Sequence, residues 1–280
     1  FVRDLVMKRM NKDVDIVTDG DSLALAQKTA QYLRVKKVTL FKNFGTAQFN
    51  YKKTEVEFVS ARKESYRADS RKPEVSKGTL EDDQWRRDFT INALAISLQK
   101  ESFGQLIDPF QGIEDINDKI IRTPLDPETT FSDDPLRMMR AVRFAAQLQF
   151  TLNENAFHAI QAMAHRLEII SMERIMVEFN KILLSKKPSV GLSLLFETNL
   201  LQQFFPEFVK LHGVEKRNGV AHKDNFYHTL EVIDNLRKTT DNLWLLWSAV
   251  LHDIAKPATK RFEPQLGWTF HGHEDLGAKW

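Results

Sequence analysis

The chain has 280 residues, enough to bury a substantial core and to form two or more domains. With 40 Lys and Arg against 38 Asp and Glu the formal charge is +2, so any attraction to a polyanion must come from local clusters. The absence of Cys excludes disulfides and thiolate metal sites and fits a reducing cytoplasm; no apolar run reaches the roughly 20 residues that cross a bilayer, and no signal peptide is visible.

In chain order, Phe1-Val2-Arg3-Asp4-Leu5 and a basic link, Lys8 to Lys12, lead into Asp13-Val14-Asp15-Ile16-Val17-Thr18. The alternation predicts a strand, and residues two apart project on the same side, so Asp13 and Asp15 share one face. Carboxylates that close repel, whereas Mg²⁺ commonly bridges one or two carboxylates to substrate phosphates; a metal-held nucleotide is therefore expected, with a solvated edge-strand face as the alternative. Thr18-Asp19-Gly20-Asp21 is turn chemistry and Ser22 to Gln27 opens a helix. Further strands are expected at Lys37 to Phe41, Gly45 to Tyr51 and Thr54 to Ser60, making a small mixed α/β domain. Glu55 and Glu57 share a face opposite Val56 and Phe58, either beside the Asp strand or salt-bridged to a Lys across strands. Glu64 to Thr79, with Tyr66, Arg67, Asp69, Arg71, Lys72 and Pro73, lacks periodicity and reads as a mobile loop.

Arg86-Arg87-Asp88-Phe89-Thr90-Ile91-Asn92-Ala93-Leu94-Ala95-Ile96 follows. Arg87 offers a planar donor fork for phosphate or sugar oxygens, while Asp88 and Asn92 can bond a ribose hydroxyl or hold the Arg. The segment from Leu106 to Arg122 predicts a strand, a turn, a short helix and a return, with Asp108 as a turn or cap residue. In Phe131 to Phe144, Asp134 is a candidate N-cap followed by Pro135 at the first helical position. On that helix Arg137, Arg140 and Arg143 fall within a sector of about 120°. Cations near a helix amino terminus oppose the dipole, which points to an anionic partner or to a solvated face. Glu154 to Leu184 is helical, with Ser171 to Ile175 a capped start and Arg174 paired with Glu178 four residues on. Lys186-Lys187-Pro188-Ser189 breaks the helix, and the apolar run from Val190 to Phe208 is further helical core closed by Pro206. Five of the eight histidines, His222, His228, His252, His271 and His273, fall in the last 60 residues. His228 opens one helical pattern, and His252-Asp253 closes another before Pro257.

Several of these strings, in this order, resemble the motifs of the class II nucleotidyltransferases, the family of the tRNA CCA-adding enzymes and bacterial poly(A) polymerases. Val2-Arg3-Asp4 with the Asp-x-Asp strand is similar to the amino-terminal motif, which carries a preceding Gly-Gly pair; this chain starts at Phe1 and reads as a fragment. Glu57 with Arg62 resembles the family's further carboxylate and Arg. Arg86 to Ile96 matches the second motif nearly letter for letter. Residues 64–79 fall where the family has a flexible element that helps switch base choice from C to A, which speaks against a CC-only variant. Asp133-Asp134-Pro135-Leu136-Arg137 resembles the nucleotide-reading motif, with Asp133 in a position that is usually Glu. The histidine spacing resembles the HD-domain metal phosphohydrolases that accompany this head.

The resemblance implies an α+β fold: a polymerase-beta-like nucleotidyltransferase palm over 1–124, an all-helical neck and body over 125–212, and a truncated helical HD domain over 213–280. It implies that Asp13 and Asp15 hold two Mg²⁺, with Glu57 completing the coordination of the first metal, and that Arg3, Arg87, Asp88, Asn92, Arg140 and Arg143 bind nucleotide. Asp134 and Arg137 then read the base: a carboxylate accepts from an exocyclic amine, which C and A both carry, and a guanidinium donates to ring or carbonyl acceptors. His228, His252, Asp253 and His273 would hold a divalent transition metal, with a further Asp expected beyond Trp280. The implied activity is template-independent addition of CCA to the tRNA 3′ end from CTP and ATP, in the cytoplasm and away from membranes. The alternatives are an A-adding enzyme or poly(A) polymerase using the same residues, a metal-dependent HD phosphohydrolase with a nucleotide-sensing head, and an RNA-binding module with a decayed site.

Overall fold

Alternating apolar residues in four strands build the sheet that organises the first of two units, Phe1–Asp133 and Asp134–Trp280. The computed structural model describes residues 1–11, 13–42, 45–67 and 70–280, with backbone alone for 64–67 and 70–75; Lys12 and Asp69 lie outside. After a short helix α1 (Val2–Val6) come β1 (Asp13–Thr18), α2 (Ser22–Tyr32), β2 (Thr39–Phe41), β3 (Thr46–Tyr51) and β4 (Thr54–Ser60). The strand order is β1-β4-β3-β2, with β1 parallel to β4 and the other pairs antiparallel. Ile16, Val56, Phe58, Phe49 and Ala47 form the inner face with Ala26 and Ala30 of α2. The two alanines stand four apart, one turn of helix, so α2 lies close on the sheet. Asp21 caps α2 by accepting from the Ala24 amide at 3.0 Å.

One expectation fails here. The segment read as a mobile loop forms a backbone-paired antiparallel hairpin, β5 (Arg62–Arg67) and β6 (Ser70–Lys77), with a register shift between Ser65 and Arg67. Its sequence is polar at nearly every position, so strand pairing leaves no period-two signal to read. The unit continues through α3 (Leu80–Trp85), whose Thr79–Asp82 capping box is complete, then β7 (Ala95–Ile96), β8 (Leu106–Ile107), α4 (Gly112–Asp118), β9 (Ile120–Ile121) and α5 (Pro127–Asp133). Asp108 accepts from the Gly112 and Ile113 amides at 2.7 and 2.9 Å, the capping role expected of it. Gly112 is required where it stands: a Cβ there would lie 2.5 Å from the Thr90 carbonyl oxygen.

The second unit is helical apart from short strands: α6 (Leu136–Leu148), β10 (Thr151–Leu152), α7 (Glu154–Met163), α8 (Met172–Leu183), α9 (Pro188–Glu197), α10 (Leu200–Phe204), α11 (Pro206–Val209), β11 (Lys216–Arg217), β12 (Val220–Ala221), α12 (Asn225–Arg237), α13 (Leu243–Leu251), α14 (Lys256–Thr259), β13 (Arg261–Glu263), β14 (Gly267–Thr269) and α15 (His273–Gly277). The prolines taken as stops also act as starts: Pro188, Pro206 and Pro257 each stand in the first turn of the next helix, where a missing N–H costs nothing. Pro135 is the N-cap of α6 rather than its first helical residue. Phe179 packs edge-on to Phe204 and Phe205 and tilted against Trp247, whose indole N–H donates to Asn180 at 2.8 Å. Among the described residues no helix is long and apolar enough to cross a membrane.

Candidate active site and metal cluster

Parallel pairing of β1 with β4 sets Asp13 opposite Glu55 and Asp15 opposite Glu57. Because paired residues point the same way, the four carboxylates stand together on the sheet face opposite α2. Gln48 and Asn50 of β3 adjoin Glu57 and Glu55 on that face. No side chain among the described residues forms an ion pair or hydrogen bond with the carboxylate groups of Asp13, Asp15, Glu55 or Glu57. Partial burial pushes the Glu57 carboxyl above its ordinary range, and the negative charges of Asp15 and Glu55 push it further, against a weaker pull from Arg62 and Arg87. An all-oxygen donor set of this kind suits a hard divalent cation.

A polar network ties the sequence motifs to that strand. Arg3 donates from Nη1 to Asn92 at 2.7 Å and grips Asp4 with Nε and Nη2, and Asn92 donates to Asp88 at 2.9 Å. Asn11 donates to Asp4 at 3.1 Å and accepts from the Asp13 amide at 2.8 Å. Arg3, Asp88 and Asn92 therefore belong to one connected cluster that reaches the start of β1. Arg87 lies near enough to Glu57 to lower its pKa, and is itself held by Asp83 at 2.8 Å. Asp83 also pairs with Arg86 and is 1% exposed. Sequence reading passed over Asp83; a carboxylate three and four residues ahead of two arginines was the signal.

In the second unit Asp134 stands one residue before the N-cap Pro135, not at the N-cap expected of it, and accepts from the Leu136 amide at 3.1 Å. The three arginines of α6 are not an exposed stripe. Arg137 and Arg143 are each 8% exposed, and Arg143 forms an ion pair with the buried Glu178 of α8. Its guanidinium also lies 3.8 Å above the Phe144 ring. Glu178 takes Lys181 as second partner at 3.1 Å, so the expected Arg174–Glu178 pair gives way to an inward interaction. The four-residue spacing was right for a helix surface, but Glu178 faces the core.

The histidine cluster assembles from α12 and the end of α13. Ligand atoms of His228, His252 and Asp253 all lie within 4.8 Å of one another. The His252 Nδ1–H donates to the Ala249 carbonyl at 2.7 Å, leaving Nε2 to face Asp253 at 3.2 Å. His273 Nε2 is 3.5 Å from the other Asp253 oxygen, its Nδ1 bonded to Phe270 at 2.8 Å. Lys256 holds Asp253 at 2.7 Å. Burial works to raise the Asp253 pKa, but hydrogen bonds from His252 and Lys256 bring it down to about 2, and Asp253 in turn raises His252. Nitrogen and oxygen donors so placed fit a borderline divalent metal, with Lys256 as a competitor for the carboxylate. His222 stands outside: its ring accepts from the Glu215 amide at 3.2 Å and donates to the Lys223 carbonyl at 2.7 Å. His271 is exposed and takes no part in the cluster.

The poly(A) polymerase head domain model matches residues 1–122, a probable RNA- and SrmB-binding site of polymerase A matches 149–211, and the HD domain matches 225–280. The chain is 33% identical over 273 residues to the CCA-adding enzyme of Bacillus licheniformis, covering 97% of this chain and 63% of that protein. It is 43% identical over 154 residues to the A-adding tRNA nucleotidyltransferase of Aquifex aeolicus, covering 55% of this chain and 18% of the relative. A solved tRNA nucleotidyltransferase complexed with a primer tRNA and an incoming ATP analog superposes with a TM-score of 0.68 at 26% identity, over 99% of this chain and 73% of that one. The Thermotoga maritima CCA-adding enzyme complexed with tRNA gives 0.70 at 26% identity, over 90% and 56%. The chain spans 18% of the length of the Aquifex aeolicus relative and 65% of that of the multifunctional CCA protein of Shewanella frigidimarina.

Proposed function

We propose that this chain, which belongs to the class II nucleotidyltransferase family of the poly(A) polymerase head, carries the catalytic portion of an enzyme that adds CCA to the 3′ end of tRNA from CTP and ATP without a template. The observation that carries this reading is the β1–β4 register, which gathers Asp13, Asp15 and Glu57 on one face with no cationic side chain at ion-pair distance among the described residues. Two Mg²⁺, held by Asp13 and Asp15 with Glu57 beside them, would supply Lewis-acid neutralisation of the attacking and leaving oxygens.

The remaining roles belong to the protein's own groups. Arg3, braced by Asn92 and Asp4, and Arg87, braced by Asp83, place guanidinium charge for the phosphates, while Asp88 fixes Asn92 for the ribose. Asp134 and Arg137 choose the base, the carboxylate accepting from the amine of C or A. Arg140 contributes charge to the triphosphate, and Arg143, engaged by Glu178, keeps α6 in place. A bidentate contact discriminates by roughly 1–3 kcal/mol, so selection rests on the whole site. His228, His252, Asp253 and His273 would hold a divalent transition metal in the HD portion.

Full-length protein incubated with tRNA lacking its terminal triplet and each labelled nucleotide tests the reading. Incorporation of C, C and then A is expected. Extension of many RNAs with ATP alone would favour a poly(A) polymerase and overturn it.

A further inference from the structure

Residues 210–223 and 260–270 hold six Lys and Arg against two Asp and Glu, in a chain whose charges otherwise nearly balance. They form two hairpins, β11–β12 and β13–β14. The first turns through Asn218 (φ 51°) and Gly219 (φ 82°), the left-handed pair that a tight two-residue hairpin needs. The hairpins clasp one another: the Trp268 indole N–H donates to the Val220 carbonyl at 3.2 Å, and a Cβ at Gly267 would press on Val220 at 3.2 Å. The two hairpins therefore support one another.

Of the six cations on this platform, only Lys260 has a carboxylate partner among the described residues, Glu215. Lys210, Lys216, Arg217, Lys223 and Arg261 are exposed and form no ion pair or side-chain hydrogen bond among the described residues. Arg217 lies with its guanidinium 5.0 Å over the Phe262 ring, which orders the planar fork while leaving its donors to solvent. At the foot of the platform a cavity of about 180 Å³ is lined by Lys210, Glu215, His222, Asn225 and Lys260. Asn225 is 7% exposed and its side-chain amide has no hydrogen bond among the described residues. Five cations without a carboxylate partner among the described residues, carried by two clasped hairpins, raise each other's energy until an anion shares them, and a guanidinium fork ordered against an aromatic ring matches phosphate oxygens.

We propose that the paired hairpins are a second RNA-binding surface, gripping the sugar-phosphate backbone of the tRNA outside the 149–211 segment that matches an RNA-binding model. The partner's identity as tRNA rests on the function proposed above; the cationic surface does not. Backbone contacts carry no base code, so the surface serves every tRNA alike and acts on affinity rather than on chemistry.

The test compares full-length wild type with K216A/R217A/R261A, none of whose positions lies in the catalytic or base-reading sets. Filter binding to tRNA lacking its terminal triplet at several salt concentrations, a thermal melt, and single-turnover addition at saturating tRNA are measured together. The expected result is a Kd raised about tenfold or more near 150 mM salt, a log K against log salt slope shallower by about two to three, and an unchanged rate at saturation. R217K should keep most of the slope yet lose part of the affinity, since it keeps charge and loses the fork. An unchanged Kd and slope in a folded triple variant overturns the proposal. So does a variant that binds tRNA normally but loses affinity for polyglutamate, which would assign the surface to an acidic polypeptide. Failure of wild type to extend tRNA sinks the functional reading, while the binding comparison still judges the surface.

Discussion

In the first unit Asp13, Asp15, Glu55 and Glu57 crowd one sheet face without a cationic side chain at ion-pair distance among the described residues; in the second, Asp253 is gripped by Lys256, His252 and His273. The consequences run in opposite directions. Burial and like charge push Glu57 up, whereas donors bring the buried Asp253 down to about 2. A carboxylate cluster that no described side chain pairs with is built to receive charge from outside. A compensated one holds its own fold together and makes an incoming metal compete with Lys256.

The largest effect that would break this contrast is catalytic. Asp13→Ala or Asp15→Ala is expected to slow nucleotide addition by on the order of a thousandfold, the loss of several kcal/mol of charge stabilisation. Removing one of four mutually repelling carboxylates should leave the melting temperature equal or higher. Single-turnover addition and a thermal melt on the same preparation check both halves. A variant that melts well below wild type would mean that the acidic face is structural.

Stability gives the next effect, and it should appear where charge is compensated. Asp253→Ala leaves Lys256 and two histidines without their carboxylate, and denaturant unfolding should show a loss of about 3 kcal/mol. Asp83→Ala sharpens the point inside the first unit: it removes the carboxylate that Arg86 and Arg87 share, both of which are part-exposed, and should cost about 2 kcal/mol. Its activity should fall more than its stability requires, with Asp83→Glu recovering part of the rate. Equal losses in both measurements would assign Asp83 a purely structural role.

How much of this was legible in sequence follows from the range of each interaction. Asp-x-Asp on β1, the Glu-x-Glu alternation on β4 and the Asp108 cap are local, and the backbone period displays them. The pairing of Asp15 with Glu57 spans 42 residues of chain; alternation suggested a shared face but only the parallel register fixed which carboxylate meets which. Arg143 and Glu178 were each visible as helical charges, yet their mutual burial depends on how α6 packs on α8. The β5–β6 hairpin was missed because polar strands carry no hydrophobic period. The cations on the paired hairpins were equally silent, since near-neutral net charge hides a local excess and only folding brings the two stretches that carry it together.

The smallest expected effect concerns pH, and its sign separates the two regions. A carboxyl whose folded pKa is raised binds its proton more tightly in the native state, so stability falls as pH rises from the unfolded value of 4.5 through the folded one. Asp253 does the reverse: its contribution is present above the ordinary 3.8 and is lost as pH drops toward about 2. His252, raised above 6.5, contributes fully below that value and loses its contribution as pH climbs through the folded pKa. In chelator-treated protein Glu57→Gln should therefore be more stable than wild type near pH 7, by about 0.5 kcal/mol because solvent screens the group, with the difference vanishing below about pH 4.5. Added Mg²⁺ should reverse the order, since a ligand that binds only the native state stabilises wild type more than a variant lacking one donor. Denaturant unfolding at two pH values, with and without Mg²⁺, reads all four combinations. If Glu57→Gln gains nothing in the chelated protein, the carboxylates are not pressing on one another, and the distinction between a face that awaits a cation and a cluster that supplies its own is lost.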